Sequence, residues 1–126
     1  MFIHHIGIIV RDINKSINIY NKLGFKLKNN IVIDDVQKNR IALLKTGYCL
    51  NFELIEPLNE ESSVYNFKEG YHHICYEAEP GEDIIQKFKS MNIGKIFTQP
   101  MVAPALDNRK VVFACLQNGT FVEFIL

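Results

Sequence analysis

The sequence predicts an α+β fold of two tandem βαβββ modules, which form a curved, barrel-like mixed sheet with the helices outside. The first observation is a seven-residue strand pattern that occurs twice, as HHIGIIV at His4–Val10 and as HHICYEA at His72–Ala78. The second is that each copy is followed by a short polar break and an amphipathic helical pattern, so the repeat is larger than one strand. The chain of 126 residues, with 48% hydrophobic residues, is long enough for one domain with a moderate core.

The spacing of glycines and glutamates supports the repeat. Gly24 and Glu53 are 29 residues apart, and Gly94 and Glu123 are also 29 residues apart. The segments before these glycines differ in length by two residues, which a loop in the second half can absorb. The features that recur are therefore a histidine on the first strand and a glutamate on the last strand of each module.

The composition argues against several classes of function. The formal net charge is zero, so there is no basic excess for binding nucleic acid. No apolar run is long enough to span a bilayer, and Arg11-Asp12 follows the first apolar run too early for a secretory signal. The three widely spaced cysteines, without a C-x-x-C motif, fit a reducing compartment and no disulfide framework. We therefore expect a cytoplasmic protein without nucleic-acid or membrane partners.

The first module, at about residues 1–57, is expected to begin with a strand, continue with a helix and end with three strands. Asp12 is a suitable N-cap for a helix whose apolar residues fall near helical spacing, and Gly24 suits its C-terminal end. Asn29-Asn30 interrupts the second strand, and Pro57 closes the fourth. We expect strands at Ile3–Val10, Phe25–Ile33, Arg40–Leu44 and Tyr48–Glu56, and a helix at Ile13–Leu23.

The second module, at about residues 71–126, repeats this order after a polar and acidic linker at residues 58–70. Two prolines predict that Pro100–Asn108 is a loop, and Asn118-Gly119 favours a tight hairpin turn. We expect strands at Tyr71–Glu79, Lys95–Gln99, Arg109–Leu116 and Phe121–Leu126, and a helix at Asp83–Met91.

Strand alternation predicts which side chains face the open side of the sheet. Along the first and last strands of each module, apolar residues share the face that we expect to pack against the helices. The same alternation places His4 and His72 on that helix-packed side, near its edge. The opposite, concave face then carries four potential ligands, which are His5, Glu53, His73 and Glu123.

Two imidazoles and two carboxylates that converge on one cavity indicate a site for a divalent metal ion. Imidazole suits nickel, cobalt, zinc or iron, and two carboxylates neutralise the charge of the ion and favour more than four ligands. Without an ion, an unpaired inward carboxylate would be costly. We therefore expect one divalent ion per site, Ni2+, Co2+ or Zn2+, with free positions for a chelating substrate. Arg109 is a weaker candidate, for binding an anionic substrate tail.

Several segments resemble the vicinal oxygen chelate superfamily, and the resemblance covers essentially the whole chain. The opening HHIGIIVRDINKSINIYNKLGF is similar to the start of that family, and FELIEPL with YHHICYEA resembles its glyoxalase I and methylmalonyl-CoA epimerase branch. The stretch APALDNRKVVF before VEFIL is similar to bacterial glyoxalase-like proteins. The resemblance implies the glyoxalase/bleomycin-resistance fold, with ligands on the first and last strands of each module. These positions match the four residues named above.

The resemblance implies a metal-dependent lyase or isomerase of the glyoxalase I type, also called lactoylglutathione lyase. In such an enzyme the ion binds two vicinal oxygens of the substrate, and a carboxylate removes a proton alpha to a carbonyl to form a metal-held enediolate. The substrate is the hemithioacetal of a 2-oxoaldehyde and a thiol, usually glutathione, and the product is a 2-hydroxyacyl thioester. The resemblance assigns the base to Glu123, which is also a ligand, with Glu53 as the second candidate.

Methylmalonyl-CoA epimerase is the alternative. This enzyme usually has Gln at the position of Glu53, although Glu also occurs, and it carries a further glutamate base on an earlier strand. That place falls near Val36-Gln37, just after Asp34-Asp35, and no Glu stands there. Asp35 would substitute only if the register slipped. These two points favour glyoxalase-like chemistry and leave the thiol carrier open.

Two other classes of protein in the superfamily fit less well. Antibiotic-binding members without catalytic activity commonly lack the full ligand set, and ring-cleaving dioxygenases use two His and one Glu in longer chains. Family members build the cavity from two modules of one chain or of two chains. We therefore expect a homodimer that binds a small thioester or hemithioacetal, with the ligands supplied by one chain or shared between two.

Overall fold

The computed structural model describes residues 1–48 and 50–126, in which the chain forms two α-helices and ten strands of one mixed sheet. This architecture confirms the predicted α+β class. Cys49, in the fourth predicted strand, lies outside the described residues. The strands are β1 (Phe2–Ile9), β2 (Lys26–Leu27), β3 (Val32–Asp34), β4 (Asn39–Lys45), β5 (Asn51–Pro57), β6 (Gly70–Glu77), β7 (Gly94–Ile96), β8 (Met101–Ala103), β9 (Arg109–Leu116) and β10 (Phe121–Ile125).

Capping residues start both helices where the sequence predicts. The Asp12 carboxylate accepts a hydrogen bond from the backbone N–H of Lys15 at 3.0 Å, and the Asp83 carboxylate accepts one from Gln86 at 3.0 Å. These bonds satisfy backbone donors that the first turn of a helix leaves free. Neither α-helix of the described chain is long and apolar enough to cross a membrane. The helices are α1 (Ile13–Lys22) and α2 (Ile84–Met91).

The order of the strands places the first and last strands of both modules at the centre of the sheet. The order is β2-β4-β5-β1-β6-β10-β9-β7, with β3 beside β4 and β8 beside β9. β1 pairs with β5 and β6 pairs with β10 in parallel, whereas β1 and β6, which join the modules, are antiparallel. The sheet is open, because β2 and β7 do not pair with each other within the described chain.

The two faces of the sheet pack differently, as strand alternation predicts. One face is covered by α1 and α2, and the other carries the candidate site beside smaller apolar clusters. The helix side contains Ile8, Val10, Ile13, Ala42, Leu44 and Leu54 around α1, and Ile84, Phe88, Val112, Ala114, Val122 and Phe124 around α2. The opposite side contains Ile9, Ile55 and Val64, and also Cys75, Ala103, Leu106, Val111, Phe113 and Ile125.

Two segments differ from the expected strand pattern. The predicted second strand is divided around Asn29-Asn30 into β2 and β3, which both pair with β4. The expected loop Pro100–Asn108 contains β8, which pairs with β9, and a 3-10 helix at Pro104–Leu106. The prediction of a loop was wrong because β8 pairs on one side only among the described strands, and flanking prolines are tolerated on such an edge.

The linker at residues 58–70 is attached to the concave side of the sheet. Val64 is buried in a cluster with Ile9 and Ile55. Asn39, at the start of β4, accepts a hydrogen bond from the hydroxyl of Ser62, which is 8% exposed. The linker therefore closes over one end of the concave face.

Candidate metal centre

Four adjacent strands at the centre of the sheet carry the four candidate ligands. Each ligand lies on a different strand, in the pairing order β5-β1-β6-β10. Their side chains belong to residues that are between 0% and 6% exposed, and each offers a donor atom within 4.8 Å of the others. The structure therefore brings together, from a single chain, His5, Glu53, His73 and Glu123.

The donor atoms face one another at short range. Nε2 of His5 and Nε2 of His73 are 3.2 Å apart, and Oε2 of Glu123 is 3.2 Å from each of these nitrogens. Oε2 of Glu53 is farther away, at 3.6 Å from Nε2 of His5. Glu123 thus lies between the two rings, and Glu53 stands at the edge of the group.

Glu123 provides a test of whether a cation fits this group. Its Oε2 is buried and has no hydrogen-bond partner among the described residues. A buried carboxylate oxygen without a donor is costly unless a positive charge or a metal ion compensates it. Two imidazoles with two carboxylates form a donor set that first-row divalent ions accept. The residues present therefore fit Ni2+, Co2+ or Zn2+.

Burial and neighbouring charges shift the pKa values of the two carboxylates in opposite directions. Burial is the main effect that raises the pKa of Glu53. Burial also opposes ionisation of Glu123, but the His5 and His73 rings outweigh it and hold the pKa of Glu123 well below its usual range. Glu53 is therefore the carboxylate with the greater affinity for a proton.

Gly7 on β1 leaves the space that the ring of His73 occupies. The two residues pair across β1 and β6. A Cβ atom on Gly7 would lie 2.2 Å from Cε1 and 2.5 Å from Nδ1 of His73, closer than real Cβ contacts. The lack of a side chain at Gly7 is therefore a requirement of the site. Alternation alone places Gly7 on the concave face but offers no sign of this role.

His4 and His72 depart from the face that strand alternation predicts. The pairing of β1 with β6 shifts register at two points, which leave these two residues without partners in the ladder. Such bulges redirect side chains. Nδ1 of His4 lies 2.9 Å from Nδ1 of His5, and Nδ1 of His72 lies 3.0 Å from Nδ1 of His73. The expectation that both face the helices was therefore wrong, and each contacts a candidate ligand. The signal in the sequence that could have revealed these contacts is the pair of adjacent histidines in each module.

Arg109 lies behind His4, apart from the other predicted site residues. Its Nη1 pairs with Glu77, and its Nη2 is 3.3 Å from Nε2 of His4. Its Nε donates to the carbonyl oxygen of Leu106 at 3.3 Å. The structure therefore places Arg109 beside His4, which itself contacts the candidate ligand His5. Arg109 does not line the cavity above the candidate ligands.

A cavity of about 380 Å3 opens above the candidate ligands. Glu53 and His73 line it, together with residues from β4, the linker, β9 and β10. His5 and Glu123 do not contribute to its lining. A bound molecule in this cavity would therefore meet Glu53 before it met the other carboxylate of the centre.

The wall expected to carry an additional epimerase base does face this cavity, but it holds no carboxylate. Val36 and Gln37 line the cavity at this place. The buried Asp34 carboxylate accepts hydrogen bonds from the backbone N–H groups of Val36 and Gln37, at 3.0 and 2.9 Å, and so shapes the turn. Asp35 is exposed and is not part of the lining.

The fold agrees with a comparison of the sequence with protein families. A family model described as the Glyoxalase/Bleomycin resistance protein/Dioxygenase superfamily matches residues 4–113. The chain therefore belongs to this superfamily, which is the vicinal oxygen chelate superfamily of the resemblance described above. No curated protein sequence matches the chain.

Similar solved structures share the fold over nearly the whole chain. Methylmalonyl-CoA epimerase from Mycobacterium tuberculosis is 23% identical, with a TM-score of 0.83, and the match covers 98% of this chain and 85% of that one. A hypothetical protein from Bacillus halodurans C-125 is 30% identical, with a TM-score of 0.82 and coverage of 98% and 92%. A methylmalonyl-CoA epimerase in complex with methylmalonyl-CoA is 21% identical, with a TM-score of 0.81 and coverage of 98% and 92%.

Proposed function

We propose that the protein is a metal-dependent isomerase that moves a proton at the carbon next to a carbonyl group in a small thioester or hemithioacetal. The observation that carries this proposal is the buried group of two imidazoles and two carboxylates, with donor atoms within 4.8 Å of one another at the base of a cavity. A divalent ion held by these residues would act as a Lewis acid on the substrate carbonyl and stabilise the negative charge that develops there.

Glu53 is the carboxylate best placed to take the proton. It lines the cavity, whereas Glu123 lies between the two histidine rings and outside the lining. We therefore assign the base to Glu53 and the role of ligand to Glu123, in the reverse of the order that the family resemblance implies.

For the substrate, the comparisons favour an epimerase over a glyoxalase I. Structures similar to this chain include methylmalonyl-CoA epimerases, one of them in complex with methylmalonyl-CoA. A thioester of this kind offers a carbonyl oxygen and a carboxylate oxygen that can bind one ion together. Epimerisation at the alpha carbon of such a thioester is therefore the first candidate reaction.

Hemithioacetal isomerisation is the second candidate, because the cavity offers few bases. The Val36-Gln37 wall carries no carboxylate, so Glu53 is the base beside the centre. Inversion at one carbon is easiest with a proton-transfer group on each side of that carbon, whereas transfer between adjacent carbons needs one base. This arrangement suits the glyoxalase reaction.

The test is proton exchange in D2O by the metal-loaded protein, followed by NMR. We expect the protein to take up a divalent ion and to introduce deuterium at the alpha carbon of methylmalonyl-CoA. A parallel assay measures the conversion of a methylglyoxal–glutathione hemithioacetal to the thioester. Glu123→Ala is the control variant, because removal of the whole donor group should abolish metal uptake and turnover together.

Two results would contradict the proposal. A purified protein that takes up no divalent ion would remove the basis of the metal-dependent reaction. A protein that binds an ion but neither exchanges the proton of the thioester nor converts the hemithioacetal would be better described as a binding protein. Activity on only one of the two substrates would decide between the candidate reactions.

A further inference from the structure

The cavity above the candidate metal centre has an aromatic wall that proton transfer alone does not explain. Phe121 lies near its middle, with its ring centroid 5.5 Å from that of Phe67 and 5.8 Å from that of Phe97. Phe97 and Phe113 are 6.4 Å apart, and the Phe113 ring packs edge-on against His73 at 5.3 Å. The aromatic wall, which consists of Phe67, His72, Phe97, Phe113 and Phe121, therefore extends from a candidate ligand to the surface.

The outer part of the aromatic wall is exposed. Phe67 is 38% exposed and Phe97 is 56% exposed, although both rings line the cavity. Neighbouring exposed rings around a concave site are typical of a place that binds an apolar group. Aromatic rings also gain from edge-to-face and offset contacts with another ring beyond the area that they bury. The wall is therefore suited to a flat aromatic group.

The two amide side chains that line the cavity, Gln37 and Asn39, are already bonded within the protein. The Gln37 side chain donates to the Asp34 carboxylate at 3.3 Å and accepts from the Ser63 hydroxyl at 3.2 Å. The Asn39 amide donates to the Ser63 hydroxyl at 3.2 Å and accepts from Ser62. These amides are therefore poorly available to a chain of peptide-like amides, such as the body of a thiol carrier.

The charge of the lining also opposes an anionic group. The acidic residues of the described lining are Glu53 and Glu61, and no Lys or Arg is among them. A carboxylate or phosphate in this cavity would gain no ion pair and would meet charges of the same sign. Anionic parts of a substrate are therefore expected at the metal ion or outside the cavity.

The size of the cavity decides between a small and a large apolar group. A volume of about 380 Å3 corresponds to about a dozen water molecules at roughly 30 Å3 each. A methyl group, as in the two test substrates named above, would leave most of this space filled with water against phenylalanine rings, so these substrates should turn over more slowly than aromatic counterparts. We infer that the substrate carries an uncharged aromatic group next to its chelating oxygens and that the aromatic wall binds this group. This inference rests on the proposed function, because it describes the substituent beside the reacting carbon.

Two hydroxamates test the inference without requiring turnover. Benzohydroxamate and acetohydroxamate both chelate metals through two adjacent oxygens and differ in the group beside them. Titration calorimetry with the Ni2+-loaded protein should show tighter binding of benzohydroxamate by roughly 10- to 100-fold, the effect of burying a phenyl group. In the double variant Phe67→Leu/Phe97→Leu this preference should fall to a few-fold. Phe2→Leu is the matched control, because Phe2 is 59% exposed and does not line the cavity.

Equal binding of the two hydroxamates, or a preference that the double variant keeps, would overturn the inference. So would a homodimer whose formation covers the aromatic wall and abolishes the preference. A preference without turnover would support the inference and contradict the proposed function, whereas turnover without a preference would do the reverse. If the protein takes up no ion, the two hydroxamates are compared on the metal-free protein. This comparison still tests the inference, because the aromatic wall should contact the phenyl group with or without an ion.

Discussion

At the scale of single residues, Gly7 decides whether the His73 ring can face the other ligands. A methyl group at this position would collide with the ring, which is enclosed in the sheet and has little room to move. Gly7→Ala should therefore weaken metal binding by at least about 10-fold. This is the smaller end of the usual effect of losing a residue that orients a metal ligand. Titration calorimetry with Ni2+ measures this change. Gly47→Ala is the control, because no atom lies within 4 Å of a Cβ there, and equal affinity of the two variants would contradict the role of Gly7.

Glu53 and Glu61 are two carboxylates of the same cavity with different expected roles. Glu53→Gln should keep its metal ion, since an amide oxygen can still act as a ligand, but should lose turnover by about 10²- to 10⁴-fold because the base is absent. Glu61→Gln should change turnover by less than about twofold, since an exposed charge away from the ligands contributes little. Steady-state rates and metal content are the measurements. A slow Glu61→Gln variant would show that the reaction needs a second base.

His4 is expected to orient the His5 ring through the contact between their Nδ1 atoms. His4→Leu should lower the affinity for Co2+ by roughly 10- to 100-fold, the usual effect of losing an outer contact to a metal ligand. It should also change the visible absorption of bound Co2+, which a purely structural role would leave unaltered. His4→Asn should restore much of the affinity, because its amide places a polar atom near the position of Nδ1. If Leu and Asn behave alike, the contact does not orient His5.

At the scale of elements, the predictions that were wrong concern places where a strand departs from regular pairing. Alternation assigns His5 and His73 to the concave face and would send His4 and His72 to the other side. The register shifts between β1 and β6 depend on how two distant strands meet, which no local pattern records. The strand β8 was missed for a related reason, since its prolines exclude a central strand but allow an edge.

The linker is a further element whose role depends on tertiary contacts. Its acidic sequence predicts a connection between modules, yet the Asn39 amide fixes it to β4 through Ser62 and Ser63. Asn39→Ala should destabilise the fold by about 1–3 kcal/mol, because the buried Ser62 hydroxyl loses its acceptor. Urea denaturation measures the free energy of unfolding. Asn66→Ala, at an exposed position of the same segment, should change it by less than about 0.5 kcal/mol, and an equal effect of both variants would contradict this role.

At the scale of the whole molecule, the convergence of the four candidate ligands was predictable because their positions depend on the repeat. Equal spacing from Gly24 to Glu53 and from Gly94 to Glu123 marks the last strand of each module, and strand alternation then selects the face. The cavity above the ligands was not predictable in the same way. Phe67 comes from the linker, Phe97 from beyond β7 and Phe121 from β10, and their proximity depends on the curvature of the complete sheet.

Metal binding should stabilise the whole molecule, because each module contributes one histidine and one glutamate. Without an ion, two carboxylates and two imidazoles are buried together, and an ion that binds only the folded chain adds about 2.7 kcal/mol when its free concentration is about 100 times Kd. For a domain of this size the midpoint of thermal unfolding should rise by roughly 10 °C, in one transition. Differential scanning calorimetry with and without Ni2+ measures this shift, and Glu123→Ala, which lacks the donor group, should respond far less. Two separate transitions, with only one sensitive to the ion, would show that one module holds the ion alone and that the four central strands do not act as a unit.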